Sequence, residues 1–214
     1  MARLVLLAGA VTVGAFVAPA QLSAAPSQVR ARPEVGVEQI AQYAGGALWL
    51  AQVERQNVPR SRIESASFVA WRARVAADVA SVLDLEPEVL ETVWSQADAD
   101  HQIALMAALS QLGTPYKRRA SQPGVAFDCS GLTGWAWAQA GHVLPRNSTL
   151  QWRAGDARTP ESAQAGDLLR YPGHVMMWLG VDGAIVHSPR PGGVVEVRHL
   201  SDRSLRRSKF FDPS

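Results

Sequence analysis

The sequence has 214 residues, of which 47% are apolar and 19% are charged, and this composition is typical of a globular protein with a buried core. The formal net charge is +2, but residues 1–105 hold 8 basic and 11 acidic side chains, whereas residues 106–214 hold 13 and 8. The basic second half suits an anionic polymer as partner. The sequence contains no zinc-ligand cysteine pair, phosphate loop or aromatic-basic motif, which argues against a nucleic-acid-binding protein.

The first 20 residues have the pattern of a secretory signal. Arg3 precedes an apolar run from Leu4 to Val17, and Ala18-Pro19-Ala20 resembles an A-x-A cleavage site. The run is shorter than the roughly 20 residues that a spanning helix needs. We therefore predict an exported protein, secreted or in the cell wall, that is not stably inserted in a membrane after the signal is removed.

Composition divides the chain into four predicted segments. Residues 1–20 are the signal peptide, and residues 21–36, rich in Ala, Pro and Ser, are predicted to be a flexible linker. A small helical N-terminal domain is expected at residues 37–102, followed by a catalytic domain at residues 103–214. No internal repeat is present, and we expect a monomer.

Helical patterns dominate the first half of the chain. The tetrapeptide Ser61-Arg62-Ile63-Glu64 has the pattern of a capping box. Apolar residues follow it at three- and four-residue steps and predict one amphipathic helix: Phe68, Trp71, Val75, Val79 and Val82. Glu86-Pro87 predicts the start of a second helix that runs through Trp94, and a third is expected from Ile103 to Leu112.

Beyond Gly113 the pattern changes to many glycines and prolines, one clear helix and short β-like runs. These runs are Val175–Leu179, Ala184–Val186 and Val194–Val197. Helices first and antiparallel strands afterwards indicate the α+β class, in which helices pack on one face of a sheet.

Cys129 is the only cysteine, so the chain cannot form an internal disulfide. The residues after it, from Thr133 to Ala140, have a helical pattern that ends at Gly141, and Asp128 is placed as the N-cap. At a helix start, unpaired N–H groups and the helix dipole favour the thiolate, which lowers the thiol pKa from about 8.5 and creates a nucleophile. The alternative is a buried structural cysteine.

A hairpin is predicted to bring two histidines together. If Gly180 to Gly183 form the turn, Leu179 pairs with Ala184 and Met176 pairs with His187. His174 and His187 then lie on one face as diagonal neighbours about 7–8 Å apart. The other three histidines are interpreted as surface or hydrogen-bonded structural residues: His101, His142 and His199.

These residues fit a Cys-His-His arrangement. Cys129 attacks an amide carbonyl, His174 exchanges the proton, and His187 orients and polarises His174. The backbone N–H of Cys129 is the expected oxyanion donor. This chemistry requires no metal and no cofactor.

Five motifs in a fixed order resemble the NlpC-type cysteine peptidases that act on bacterial cell wall. The resemblance covers roughly residues 103–200 and implies a papain-like α+β fold, with the Cys-bearing helix packed on an antiparallel sheet. It also implies a Cys-His-His or similar triad and cleavage of peptidoglycan stem peptides between D-glutamate and the next diamino acid. The motifs are Gly113-Thr114-Pro115-Tyr116, Asp128-Cys129-Ser130-Gly131-Leu132, Leu144-Pro145-Arg146, Gly166-Asp167-Leu168 and His174.

The same resemblance implies a set of substrate-binding residues. Tyr116 would line the cleft, Asp128 and Ser130 would help to hold the free amine of the stem, and Arg146 would lie near the site. Each has a structural alternative, in which Tyr116 is core, Asp128 only a cap and Arg146 a surface charge. The chain departs from the family at Lys117-Arg118-Arg119, where Trp-Gly-Gly is usual shortly after the tyrosine.

That departure leaves the function open at several points. The basic residues favour a more anionic stem, or they mark a wall-binding module that uses the fold without catalysis. The same thiol chemistry also serves an amidase or an acyltransferase, because an acyl-enzyme passes its acyl group to water or to an amine. The N-terminal helices either restrain the cleft or serve as a docking domain.

Overall fold

The computed structural model describes residues 36–57 and 63–214. The predicted signal peptide lies outside the described residues, as do residues 21–35 of the predicted linker and Ser61 and Arg62 of the predicted capping box. No helix in the described ranges is both long and apolar enough to cross a membrane.

Four helices form the first part of the described chain: α1 (Val37–Asn57), α2 (Ala66–Leu83), α3 (Pro87–Gln96) and α4 (Ala99–Leu109). The N-cap of α2 is Ser65, whose hydroxyl accepts the N–H of Phe68 at 3.3 Å, so the helix begins later than the capping-box pattern predicts. α3 begins at Pro87 as predicted. α4 begins at Ala99 rather than at the predicted Ile103. Its first turn includes the polar Gln102, which is buried and donates a hydrogen bond to Ala97 O, and an apolar pattern does not identify a buried polar residue.

The predicted apolar stripe of α2 is only partly correct. Phe68, Val75 and Val79 are fully buried, but Trp71 and Val82 are exposed by 37% and 42%. The buried face is rotated because α2 packs against α1 on one side and α3 on the other, and it includes the buried Arg72, which forms an ion pair with Glu91 of α3. In that pair the guanidinium of Arg72 donates to Glu91 at 2.7 Å.

Two sheets follow the helices. A small sheet pairs β1 (Ser121–Gln122) with β2 (Ala126–Phe127), and a six-stranded antiparallel sheet has the strand order β3-β8-β4-β5-β6-β7. Its strands are β3 (Asp156–Arg158), β4 (Leu168–Tyr171), β5 (His174–Trp178), β6 (Ala184–His187), β7 (Glu196–His199) and β8 (Lys209–Asp212). Three further helices are α5 (Cys129–Gln139), α6 (Ser148–Ala154) and α7 (Asp202–Arg207). The predicted α+β class is confirmed, and α5 packs on the sheet through β5 in the papain-like arrangement.

The predicted hairpin register is confirmed. Met177 pairs with Val186 and Trp178 with Ile185, which is the register that places Met176 opposite His187. Its two faces also separate as predicted, because the alternating side chains enter two different cores. Val175, Met177, Leu179, Ala184 and Val186 belong to the main core under the helices, and Met176, Trp178 and Ile185 belong to a second cluster on the opposite face.

The strand predicted at Val194–Val197 is displaced to Glu196–His199. Val194 and Val195 instead pair with the segment after α4, where Val195 N–H donates to Thr114 O at 2.8 Å. This pairing holds the segment that carries Tyr116 beside the sheet, and Tyr116 N–H donates to Gly193 O at 2.9 Å.

One continuous core runs through the described helices and the sheet. Trp94 is fully buried and its indole N–H donates to Leu179 O at 2.9 Å, which ties α3 to the end of β5. His101 is also buried, with Nε2 3.0 Å from Asp167 Oδ1 before β4. The predicted domain boundary near residue 103 stays a prediction, and the packing joins its two sides.

A close approach at Gly131 fixes the first turn of α5. A Cβ atom at Gly131 would lie 2.0 Å from the carbonyl oxygen of Ala120, which is backbone and cannot swing away. The same oxygen accepts the N–H of Asp128 at 3.0 Å. The helix start is therefore seated on the turn formed by residues 117–120.

We predict that Gly131→Ala lowers the free energy of unfolding by about 2 kcal/mol or more, because the added methyl overpacks a site bounded by backbone. Gly134→Ala in the same helix is the matched control, since its Cβ would meet only the Gln151 side chain at 3.4 Å. Urea denaturation followed by circular dichroism measures both. Equal stability of the two variants would contradict the close approach.

Candidate active site

Cys129 is the first residue of α5, and Asp128 is its N-cap. Asp128 Oδ1 accepts the N–H of Gly131 at 2.7 Å, as an N-cap carboxylate does. The half-buried thiol lies near the start of β5, because the backbone N–H of Val175 is close enough to act on the pKa of its sulfur. Cys129 thus lies beside the residue that follows His174.

Burial raises the pKa of the Cys129 thiol above its ordinary value. The N–H groups of Val175 and Ser130 oppose this shift, whereas the Asp128 carboxylate adds to it. The predicted lowering of this pKa is therefore wrong, although the predicted position at a helix start is confirmed. The helix amides are present, but desolvation outweighs them.

His174 and His187 form a hydrogen-bonded pair, with 2.8 Å between His174 Nε2 and His187 Nδ1. Their rings meet edge to face at a centroid distance of 5.1 Å. Burial and the neighbouring His187 lower the pKa of His174 to about 4, and burial and Arg198 lower the pKa of His187 to about 4. Both imidazoles are therefore neutral at pH 7.

The pair leaves His174 Nδ1 as the ring nitrogen that is not engaged with His187. Within the described residues no hydrogen bond joins His174 to Cys129. Their connection is Val175, which follows His174 in the sequence and whose N–H acts on the thiol. A neutral imidazole next to a protonated thiol has the chemistry of a general base rather than of a preformed ion pair.

Glu196 extends this pair and was not identified from the sequence. His187 and Glu196 are directly paired residues of β6 and β7, and His187 Nε2 lies 3.2 Å from Glu196 Oε1. Its signal in the sequence is a polar residue inside the strand predicted at Val194–Val197, but that strand was predicted without a partner. Its register opposite His187 was therefore not available.

A cleft of about 560 Å³ lies at the start of α5. All four residues expected to bind substrate line it, together with the two arginines of the unusual segment. Its lining includes Tyr116, Arg118, Arg119, Asp128, Ser130 and Arg146.

Asp128, Ser130 and Arg146 lie together and bind one another. Asp128 Oδ2 accepts from Arg146 at 2.9 Å and from the N–H of Arg119 at 2.7 Å. The Ser130 hydroxyl donates to Arg146 O at 2.9 Å and accepts from the Arg146 guanidinium at 2.9 Å. The carboxylate expected to hold a substrate amine is thus already neutralised by a cation.

Tyr116 is half-buried in the cleft wall beside Phe127, with which it forms a parallel bridge. Burial, together with Cys129 and Asp128, raises the pKa of its hydroxyl above the ordinary value. The hydroxyl therefore stays protonated, and in the cleft wall it is available as a hydrogen-bond donor or acceptor.

The remaining histidines lie in structural contacts, as the sequence predicts. His142 Nε2 lies 2.7 Å from Asp100, and His199 contacts Leu83 O and Asp182 O at 2.8 Å each.

His101 belongs to the one cluster in the described part of the chain that has the spacing of a metal site, and its other members are Asp167 and Asp212. The Arg158 guanidinium already lies 2.6 Å from Asp212 Oδ2. Because Asp212 already has this cation as its partner, the contacts of His101 serve to join α4 to the sheet.

Helix α1 meets α5 at the end opposite Cys129. Gln52 on α1 donates to Gln139 at 3.1 Å, and Gln139 is the last residue of α5. An 11-residue helix is about 16 Å long, so this contact is far from the thiol. The described N-terminal helices contribute no residue to the lining of the cleft.

Comparison with known proteins identifies the family of this site. The model of the NlpC/P60 family matches residues 113–210. A probable endopeptidase of Mycobacterium tuberculosis is 38% identical over 104 residues, which are 47% of this chain and 26% of that protein. A gamma-D-glutamyl-L-lysine dipeptidyl-peptidase of Bacillus cereus is 39% identical over 98 residues, 42% of this chain and 29% of that protein.

A solved structure is also similar. RipD of Mycobacterium tuberculosis, described as a non-catalytic NlpC/p60 domain protein adapted to peptidoglycan binding, is 29% identical with a TM-score of 0.42. The alignment covers 52% of this chain and 94% of that one. The chain matches only about a quarter of the length of each of these two proteins.

Proposed function

Because this chain belongs to the NlpC/P60 family through residues 113–210, we propose that it is a peptidoglycan endopeptidase with Cys129 as nucleophile. One observation carries the proposal: His174, which is hydrogen-bonded to His187, begins β5 next to Val175, whose backbone N–H acts on the Cys129 thiol. A base and a nucleophile at one junction are the requirement of thiol-dependent amide hydrolysis.

The proposed reaction begins with a proton transfer from the Cys129 thiol to His174 Nδ1 as the sulfur attacks the amide carbonyl carbon. A C–S bond forms, and the backbone N–H of Cys129 binds the oxyanion of the tetrahedral intermediate. The C–N bond then breaks, and the leaving amine takes the proton from His174. Water, deprotonated by His174, then attacks the carbonyl carbon of the thioester. The C–S bond breaks, the acyl group leaves as a carboxylic acid, and His174 returns the proton to the sulfur.

His187 supports this cycle through its contact with His174. As His174 becomes an imidazolium, its Nε2–H donates to His187 Nδ1, which stabilises the developing charge. A pKa of about 4 for His174 keeps the free enzyme in the basic form at neutral pH. His174 is therefore positively charged only after it has taken the thiol proton and before it passes that proton on.

We place the scissile bond between D-glutamate and the next diamino acid of the stem. The gamma-D-glutamyl-L-lysine dipeptidyl-peptidase of Bacillus cereus supports this assignment by its similarity, together with the shared motifs around Cys129. Peptidoglycan also implies action outside the cytoplasm, in line with the predicted signal at residues 1–20. We propose that the protein works there as a monomer, with residues 37–102 as a helical part that leaves the cleft open.

Digestion of defined peptidoglycan with fragments read by mass spectrometry tests the activity. We predict cleavage inside the stem by the protein, and loss of at least about 1,000-fold of the rate in Cys129→Ala and His174→Ala, since each removes a reacting group. His142→Ala is the matched control, because His142 is a half-buried histidine remote from the thiol.

Three outcomes would contradict the proposal, each in a different respect. Fragments from folded Cys129→Ala would remove the thiol mechanism. Binding of peptidoglycan without cleavage would make the protein a binding module, and products heavier by an acceptor amine would make it an acyltransferase.

The cleft also supports a preference for anionic stems. Arg118 and Arg119 are exposed in its wall, and Arg146 keeps 47% of its side chain exposed although it is paired with Asp128. Because Asp128 and Ser130 are engaged with Arg146, a substrate amine would have to displace a guanidinium to reach them. We therefore propose that this wall binds a stem carboxylate, in place of the free amine that the family resemblance implies.

Arg118→Ser combined with Arg119→Asn tests the charge of the wall, and Asn suits the positive φ of 61° at position 119. We predict that KM rises about three- to tenfold for a stem peptide with free carboxylates and hardly changes for its amidated counterpart. Arg203→Ser with Arg206→Ser on the exposed face of α7 removes the same charge elsewhere. Equal KM changes for both peptides would exclude a carboxylate subsite.

A further inference from the structure

A chain of three side chains crosses the sheet from β5 to β7. His174 Nε2 lies 2.8 Å from His187 Nδ1, and His187 Nε2 lies 3.2 Å from Glu196 Oε1. The strand register fixes both contacts, because His187 and Glu196 are directly paired across β6 and β7. The three residues are therefore held in line by backbone hydrogen bonds rather than by flexible loops.

The chemistry of the three groups determines which atom donates in each hydrogen bond of this series. An ionised carboxylate only accepts hydrogen bonds, so His187 Nε2 must carry the hydrogen in its contact with Glu196. A neutral His187 then has a bare Nδ1, which accepts the Nε2–H of His174. Neutral His174 is left with a bare Nδ1, the nitrogen that the thiol proton needs.

Without Glu196, nothing would determine which histidine donates the hydrogen bond between His174 and His187. Two neutral imidazoles that share one hydrogen bond donate in either sense. A cavity of about 190 Å³ opens on this side of the pair, so water would reach His187 and serve as donor or acceptor. In the reversed chain His174 carries its hydrogen on Nδ1 and has no lone pair for the thiol proton.

From this geometry we infer that Glu196 is a positioning residue, which fixes the tautomers of His187 and His174 so that His174 Nδ1 is free to take a proton. The inference rests on the proposed function for its kinetic consequence, but the tautomers themselves are independent of catalysis. Glu196 touches neither thiol nor cleft and acts only through His187.

Other charged and titratable groups face the pair, and none of them replaces this role. Arg198 lies two residues after Glu196, on the same face of β7, and its guanidinium is 3.8 Å from Glu196 Oε1. A guanidinium only donates, so it cannot accept the His187 Nε2–H. On β4, Tyr171 is paired with His174 and its ring is covered by Arg207 at 5.1 Å.

Nitrogen NMR of the full-length protein labelled with ¹⁵N-histidine tests the tautomers directly. We expect pyrrole-type shifts at Nε2 and pyridine-type shifts at Nδ1 for both His174 and His187 at neutral pH. Glu196→Ala should convert His187 to a mixture of tautomers, and Glu196→Gln should keep the wild-type form because its amide oxygen still accepts. Arg198→Gln is the matched control on the same strand and should leave the tautomers unchanged.

Stem-peptide kinetics supply the second readout. We expect Glu196→Ala to lower kcat roughly tenfold with KM unchanged, in the range found for residues that orient a functional histidine. Glu196→Gln should recover most of that loss, and Glu161→Ala, which removes an exposed carboxylate elsewhere, should match the wild type. A merely structural role would instead lower the unfolding midpoint and leave the tautomers as they are.

The two readouts separate the possible failures. A His187 that carries its hydrogen on Nδ1 in the wild type, or tautomers and kcat that are unaffected by Glu196→Ala, would overturn the role of Glu196. Tautomers that respond as expected in a protein that cleaves no stem peptide would leave the role intact and refute the proposed function instead.

Discussion

The seating of the first turn of α5 against the 117–120 turn and the start of β5 governs the chemistry of this protein. Gly131 permits the contact, since any side chain there would meet the Ala120 carbonyl. Asp128 stabilises this contact, because its carboxylate accepts hydrogen bonds from Gly131, Arg119 and Arg146. Cys129 lies between these anchors, and its sulfur lies near β5.

The same seating sets the charge state of the site. The thiol and His174 are half-buried and His187 is buried, and burial penalises the ionised form of each. The pKa of Cys129 is raised, whereas the pKa values of His174 and His187 fall to about 4, so all three are neutral at pH 7. A nucleophile in this state requires proton transfer during attack, which makes the direction of the imidazole chain decisive.

The sequence predicted the parts of the site that depend on local patterns. The alternation around Gly180–Gly183 gave the hairpin register, because a slip of one residue would have moved apolar side chains out of both cores. The helix start at Cys129 followed from Asp128 and the apolar pattern after it. The resemblance to the NlpC-type peptidases is borne out by the family match over residues 113–210.

What the sequence missed depends on tertiary contacts. The thiol pKa was predicted in the wrong direction, because desolvation of Cys129 arises only when α5 packs on β5. Glu196 is separated from His187 by a loop whose length does not reveal the strand register. The strands β4 and β8 have only four residues each, too few for a sequence pattern, and they pair with each other although they are far apart in the sequence.

The rate of alkylation of Cys129 by iodoacetamide, followed from pH 5 to pH 10, tests the neutral thiol most directly, and no other cysteine in the chain interferes. We expect the rate to rise mainly above the ordinary thiol pKa of about 8.5, and to do so in His174→Ala as well. A plateau reached by pH 7 that disappears in His174→Ala would show a preformed thiolate–imidazolium pair and would contradict the neutral site.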